Sequence, residues 1–364
     1  MHIPFCVRKC AYCDFASYPM EGRDPAAYAD ALLAELNLRR GDLVRVAPVA
    51  TLYVGGGTPT CIPESVLCRI IQGLTSALKG HAVAEVTVEA NPGTLDEQYA
   101  RALLAAGVTR LSLGFQSMNG SELAALGRIH RTCENTSAFR AARKAGFSDI
   151  NVDLMIGVPG QTQSSFQATY ERVFALRPEH ISAYMLAVED RTPLAEALAR
   201  GVLRLPDEDE TADMYESFVR ESRARGYVRY EVSNFALPGH ECRHNMGYWR
   251  NSSYLGLGVA AHSHFAADGE RVWNTSDPDE YARRVGSGEI PVAGREIMGA
   301  DGERIDRIIL GLRTRQGVAE EDLEGFGHVV RALVEAGLVT RAQGRVALTE
   351  KGFLLGNRVF QEFV

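Results

Sequence analysis

Short apolar runs alternate with longer amphipathic stretches through the first half of the chain. The runs at 51–54, 85–90, 110–115, 151–156 and 180–186 predict strands, and the stretches at 28–38, 65–78, 96–106, 133–145 and 163–175 predict helices. Thr94 stands before the helical pattern that opens at Leu95, and Gly107 and Gly146 follow two others, as start and stop residues do. Strand alternating with helix is the pattern of parallel strands joined by crossovers. With a shortened strand at Ile3, the pattern makes six βα units. Six units form an incomplete barrel, whose active site is expected at the carboxyl ends of its strands.

The pattern changes after about Leu205. An acidic amphipathic helix over 207–225 puts Met214, Phe218 and Val219 on one face, and a strand-like stretch follows at 227–232. Near the end, helices at 305–312 and 329–336 precede a hairpin turned at Gly344, which predicts a winged-helix-like tail. From Val318 onward there are five Lys/Arg against seven Asp/Glu, so packing against the barrel is expected rather than DNA binding. The domains expected are a barrel over 1–235, a linking segment over 236–290 and a carboxy-terminal domain over 291–364.

With 46% hydrophobic and 23% charged residues over 364 positions, the chain has ordinary globular material for a substantial core. A formal charge of −7 argues against general nucleic-acid binding, and no apolar run approaches the ~18 residues of a membrane span. The first residues lack a basic region followed by an apolar stretch, so secretion is not expected and a reducing cytoplasm suits the thiols.

Three of the seven cysteines crowd the start: Cys6, Cys10 and Cys13, spaced Cys-x3-Cys-x2-Cys. Three thiolates can hold three irons of a cubane and leave the fourth open, whereas ferredoxin sites close the cluster with a fourth cysteine. Phe5, Tyr12 and Phe15 are placed to shield the sulfurs. An odd cysteine count in a long chain argues against a disulfide framework. A zinc site completed by His2, Cys61 or Cys242 is the stronger rival, although only one Cys-x2-Cys knuckle is present.

Polar residues gather where strands end. The run at 51–54 passes into Gly55-Gly56-Gly57-Thr58-Pro59-Thr60, a loop open to ligand approach at its backbone N–H groups and equally readable as a tight turn. Glu89, Gln116 and Asp153 stand at or beside three further strand ends, where they face either a ligand or solvent. Downstream, His240 to Trp249 is the densest grouping of metal-capable and aromatic side chains outside the N-terminus. A neutral imidazole suits haem iron, with tyrosine and tryptophan as flat walls. On the residues alone, a histidine bonded within a domain interface is the plainer reading. Gly256-Leu257-Gly258 imitates part of a dinucleotide fingerprint without the strand and helix that would support it.

Taken together, Cys6 to Cys13, Gly55 to Thr60, Val88 to Pro92, Gly114 to Ser117 and Asp153 to Gly160 resemble, in order, the landmarks of the radical S-adenosylmethionine (radical SAM) superfamily. Within it the chain resembles the branch shared by oxygen-independent coproporphyrinogen oxidases and HemW-type haem chaperones. The resemblance implies an incomplete (βα)6 radical SAM barrel with a mainly helical, winged-helix-like C-terminal domain. It implies a 4Fe-4S cluster on Cys6, Cys10 and Cys13 and S-adenosylmethionine on the open iron, contacted by Tyr12, Gly56 and Glu89. Gly57, Thr58, Gln116, Arg128 and Asp153 match further nucleotide contacts, and whether one or two S-adenosylmethionine molecules bind stays open.

Phe15 stands where the oxidases carry a further cysteine, and the chain begins five residues before Cys6 without their long extension. His244-Asn245-x-x-Tyr248-Trp249 reproduces the His-Asn-x-x-Tyr-Trp motif of the haem chaperones, which reverses the plainer reading of His244. Haem is then expected at His244, Tyr248 and Trp249, with respiratory haem-acceptor proteins as partners. Coproporphyrinogen oxidation is the alternative activity, and the oligomeric state stays open, a cluster-linked dimer being one option. The family pattern Tyr-x-His-Ile-Pro meets Met1 at its second position, so either the start lies upstream or this form binds cofactor less well.

Overall fold

The computed structural model describes all 364 residues. Its main sheet has eight strands, the first six parallel and in chain order: His2–Ile3, Thr51–Gly56, Glu85–Ala90, Arg110–Gln116, Ile150–Ile156 and His180–Met185. Asn234–Ala236 and Val228–Arg229 then add on antiparallel beyond the sixth. The two outer strands do not pair, so the barrel is open. Helices Pro25–Leu38, Glu64–Ala77, Glu97–Ala105, Thr132–Ala145 and Gln163–Leu176 form the crossovers. The parallel strands read as nearly continuous apolar runs because helices cover one face and barrel contents the other.

Two local expectations are corrected. Thr94 does not cap a helix: its hydroxyl donates to the Asn91 carbonyl within a tight turn, and Asp96 caps instead by accepting the Tyr99 N–H at 2.8 Å. The strand expected over 227–232 is only Val228–Arg229, because the Ser233 N–H bonds the Glu231 carboxylate and turns the chain. The acidic helix runs Glu208–Ala224 with Asp207 capping it, and buries Met214 and Phe218 as its pattern requires.

The stretch after the barrel forms a second sheet. Strands His262–Phe265, Glu270–Asn274 and Val292–Ile297 form an antiparallel sheet, with helix Pro278–Gly286 between the last two. Leu257, Val259, Tyr281 and Val285 belong to the same 49-residue apolar core as the barrel strands. Buried Glu35 ties them together, accepting from Gly258 N–H, the Tyr281 hydroxyl and the Asn274 amide, each at 2.7 Å. Gly256 and Gly258 serve this crossing: a side chain on Gly258 would strike the His2 carbonyl, and one on Gly256 the His262 carbonyl. Their resemblance to a dinucleotide fingerprint is a by-product of close packing.

From Ala300 the chain forms a winged-helix-like body. Helices Ala300–Leu312 and Gly327–Glu335 pack beside a three-stranded sheet, Val318–Ala319, Arg345–Leu348 and Val339–Ala342, around a separate core of 14 residues. At its seam with the barrel, Glu231 bridges to Thr314 and faces Arg313.

Glu231 is 1% exposed, and burial pushes its carboxyl up from the ordinary 4.5 to about 7. The folded state therefore binds more protons than the unfolded chain between those values. This contribution is full below pH 4.5 and is lost as pH rises through 7. Glu231→Gln should remove the penalty of the buried charge. Denaturant unfolding should show the variant more stable than wild type at pH 8, by on the order of 2 kcal/mol, and the gap closing at pH 5. Equal stability at pH 8 would refute the assignment.

Candidate functional site

At the carboxyl ends of the parallel strands lies a cavity of about 330 Å³. Cys6, Cys10 and Cys13 reach it from the loop after the first strand. Tyr12, Gly56, Gly57, Thr58, Glu89, Gln116, Arg128 and Asp153 all line it, so this whole set of expected residues converges on one place. Strand ends converge there because side chains at equivalent heights of neighbouring strands share one layer.

The glycine loop works differently from expectation. Its N–H groups are not free for a ligand: those of Gly55, Gly57 and Thr58 donate to the carbonyls of Met1, Ile3 and Phe5, and that of Gly56 donates to Glu89. The glycines are needed because the first strand lies against them. A Cβ on Gly57 would sit 2.4 Å from the Phe5 carbonyl oxygen, and one on Gly56, at φ +115°, would overlap the His2 ring.

Each polar wall residue is held by its neighbours. Glu89 accepts the Tyr53 hydroxyl at 2.6 Å as well as the Gly56 N–H at 3.1 Å. Asp153 accepts from Ser112 at 3.0 Å and from Asn151 at 2.7 Å. Burial pushes both carboxyls up. Arg128 bonds the Asn91 side chain at 2.6 Å and the Gly114 carbonyl at 2.7 Å, and the Asn91 amide donates to Thr58 at 2.7 Å. Gln116 sits at a register shift between two strands with φ +63°, a strained backbone that turns its side chain to the cavity.

The donor chemistry fits a cluster. All three cysteines are unpaired and border one cavity, and Arg128 lies 3.6 Å from the Cys10 sulfur, where its charge offsets thiolate. Tyr12 and Phe15 line the cavity, but Phe5 does not shield it: its ring packs edge-on to Tyr28 in the core, 5.1 Å between centroids. The zinc alternative loses its donors. His2 bonds the Val259 carbonyl, Cys242 bonds Glu85 at 3.5 Å, Cys61 lies outside the cavity with its thiol 3.9 Å from the Met20 sulfur, and no three His, Cys, Asp or Glu side chains converge where a single ion could sit. A single ion needs its donors at one point, whereas thiolates on a cubane each hold a different iron and stand apart.

A second cavity, of about 820 Å³ and with a mixed apolar and polar lining, lies beside the amino-terminal half of the Thr51–Gly56 strand. His244 and Tyr248 line it from the short helix Arg243–Trp249. Four residues apart, they share one helix face. The His244 ring is bonded at Nδ1 to the Thr51 hydroxyl (2.8 Å) and at Nε2 to the Tyr248 hydroxyl (2.9 Å), and stacks on Tyr53 at 4.9 Å and 19°. Burial pushes its pKa down to about 3, so the ring is neutral at physiological pH. Trp249 is not in this wall. It falls about 140° further round the helix than His244, with the Arg313 guanidinium 4.9 Å above its ring.

Glu85 fixes the start of that helix by accepting the Arg243 and His244 N–H groups at 2.9 and 3.1 Å. From Asp153 a buried polar chain runs to the same point through Asn151, His180 Nδ1 (2.7 Å), His180 Nε2 to Tyr230 (2.8 Å) and the Cys242 N–H (3.3 Å). Sequence reasoning missed Tyr53, Asn91 and Ser112 as cavity residues. Tyr53 and Ser112 stood in predicted strands, and alternation along those strands was the signal for them.

Gly56→Ala should destabilise the fold by about 3 kcal/mol, combining the positive φ with the clash against His2. Adding His2→Ala should recover part of that loss, which thermal melting of the three variants would show. No recovery would mean that the ring is not what fills the space.

The family model of the radical SAM superfamily matches residues 1–173. The heme chaperone HemW of Lactococcus lactis is 35% identical, the match covering 100% of this chain and 96% of that one. The heme chaperone HemW of Mycobacterium tuberculosis is 37% identical, covering 99% and 92%. Among solved structures, coproporphyrinogen III oxidase (HemN) of Escherichia coli superposes with a TM-score of 0.84 at 23% identity, covering 100% of this chain and 88% of that one, which is a likeness of fold. By the two relatives that match over its full length, by the superfamily model over residues 1–173, and by the cysteine loop and strand-end residues that share one cavity, the chain belongs to the HemW family of the radical SAM superfamily.

Proposed function

We propose that this chain is a haem chaperone: it binds haem and passes it to acceptor proteins, with a 4Fe-4S cluster and S-adenosylmethionine held in the barrel. The observation that carries this reading is the second cavity, where a neutral histidine and a tyrosine face a space of about 820 Å³ walled by apolar and polar side chains together. That is the size and character of a site for a large flat ligand. The full-length relatives are named for the same task.

Cys6, Cys10 and Cys13 would hold the cluster, which when bound supplies an open iron for the methionine end of S-adenosylmethionine and electrons to its sulfonium. Glu89 and Asp153, from two parallel strands, and Arg128, from the loop after the helix Gly120–Ala125, would orient the nucleotide. Thr51 would keep the His244 imidazole turned by holding Nδ1, and Tyr248 would have to leave Nε2 for that nitrogen to reach iron. Trp249, turned to the C-terminal body, would hold the helix rather than the haem. Acceptors of respiratory type and a cytoplasmic setting accord with this reading; no helix is long and apolar enough to cross a membrane.

Anaerobically purified protein should contain about four irons and four sulfides per chain, and a triple Cys6, Cys10 and Cys13→Ser variant should contain none. Predominant zinc would reject the cluster. For the haem, His244→Ala should weaken binding at least tenfold and change the Soret band in a titration. Unchanged absorbance and affinity would remove His244 from the site. Conversion of coproporphyrinogen to protoporphyrinogen by reduced protein would instead favour the oxidase activity.

A further inference from the structure

Tyr53 borders both cavities. Its hydroxyl donates to Glu89 in the first, and its ring face lies against His244 in the second. We propose that Tyr53 is a positioning residue that couples the two cavities, so that occupancy beside Glu89 sets the orientation of the His244 imidazole. For the identity of the two ligands this rests on the functional reading above; the coupling itself rests on geometry.

Three groups hold the His244 ring: the Thr51 hydroxyl, the Tyr248 hydroxyl and the Tyr53 face. Thr51 and Tyr53 stand two apart on one strand and so project to the same side. Of the three, only Tyr53 borders the first cavity. Its hydroxyl is also the one side-chain donor bonded to Glu89, whose other hydrogen bond comes from the Gly56 backbone. Burial disfavours charge on Glu89, so a cationic ligand arriving beside it changes the charge on the carboxyl group that the Tyr53 hydroxyl bonds, and with it that bond. Tyr53 carries that change to the face of its ring, where it meets the imidazole. The linkage is reciprocal: whatever fixes His244 favours the ligand at Glu89.

The test uses full-length, cluster-reconstituted protein with 15N-labelled histidine, in which His244 is assigned from the His244→Ala spectrum. Adding S-adenosylmethionine should move the His244 ring-nitrogen resonances of wild type. In Tyr53→Phe, which keeps the ring and loses the hydroxyl, the movement measured at saturating ligand should fall below a third of that value. Tyr53→Leu should displace the same resonances before any ligand is added, and Tyr230→Phe, which cuts the buried polar chain from Asp153, should respond as wild type does. The proposal falls if wild type shows no ligand-dependent movement, if Tyr53→Phe retains it, or if Tyr230→Phe loses it as well.

Haem titrations form the second arm. S-adenosylmethionine should change haem affinity about fivefold or more in wild type and less than twofold in Tyr53→Phe, and an equal change in both would also overturn the coupling. Absence of haem binding at His244 would discard the haem reading alone, since the nitrogen resonances report the coupling without it.

Discussion

The carboxyl group of Glu89 is the point on which the site depends. It stands at the end of one strand, takes a backbone N–H from the glycine loop of the preceding one, and takes the hydroxyl of Tyr53 from within that same neighbouring strand. Leaving such a group without partners in a low-dielectric interior costs several kcal/mol, so both donors are pinned by it. The glycine loop, so pinned, meets the first strand closely enough to exclude any side chain at Gly56 and Gly57. The loop carrying Cys6, Cys10 and Cys13 leaves from that first strand. The three thiols are thus placed relative to the nucleotide-facing wall by a short path of hydrogen bonds.

The barrel was legible because its signals are local. Parallel strands buried on both faces read as apolar runs, crossover helices read as amphipathic stretches, and the residues at strand ends necessarily share one rim. The converging set Tyr12, Thr58, Glu89, Gln116, Arg128 and Asp153 came from resemblance to ordered landmarks, and the cavity brings those residues together. The glycine loop was read for the wrong partner. A run without side chains signals close approach, but nothing in the run says that another strand, rather than a ligand, does the approaching.

What stayed hidden depends on register between distant segments. Tyr53 meets His244 across 191 positions, and Asp153 reaches the helix start at Cys242 through residues of separate strands. No periodicity reports such pairings. Phe5 is another case: beside Cys6 in sequence, it turns to Tyr28 because neighbours on an extended chain point to opposite sides. Within the His-Asn-x-x-Tyr-Trp motif, helical geometry divides the aromatic residues, giving Tyr248 to the cavity and Trp249 to Arg313.

That division has a mechanical meaning. The seven-residue helix Arg243–Trp249 is gripped by Glu85 of the barrel at one end and by Arg313 of the C-terminal body at the other. A rod about 10 Å long, held at both tips, ties the position of the imidazole to the seam between the barrel and the winged-helix-like body.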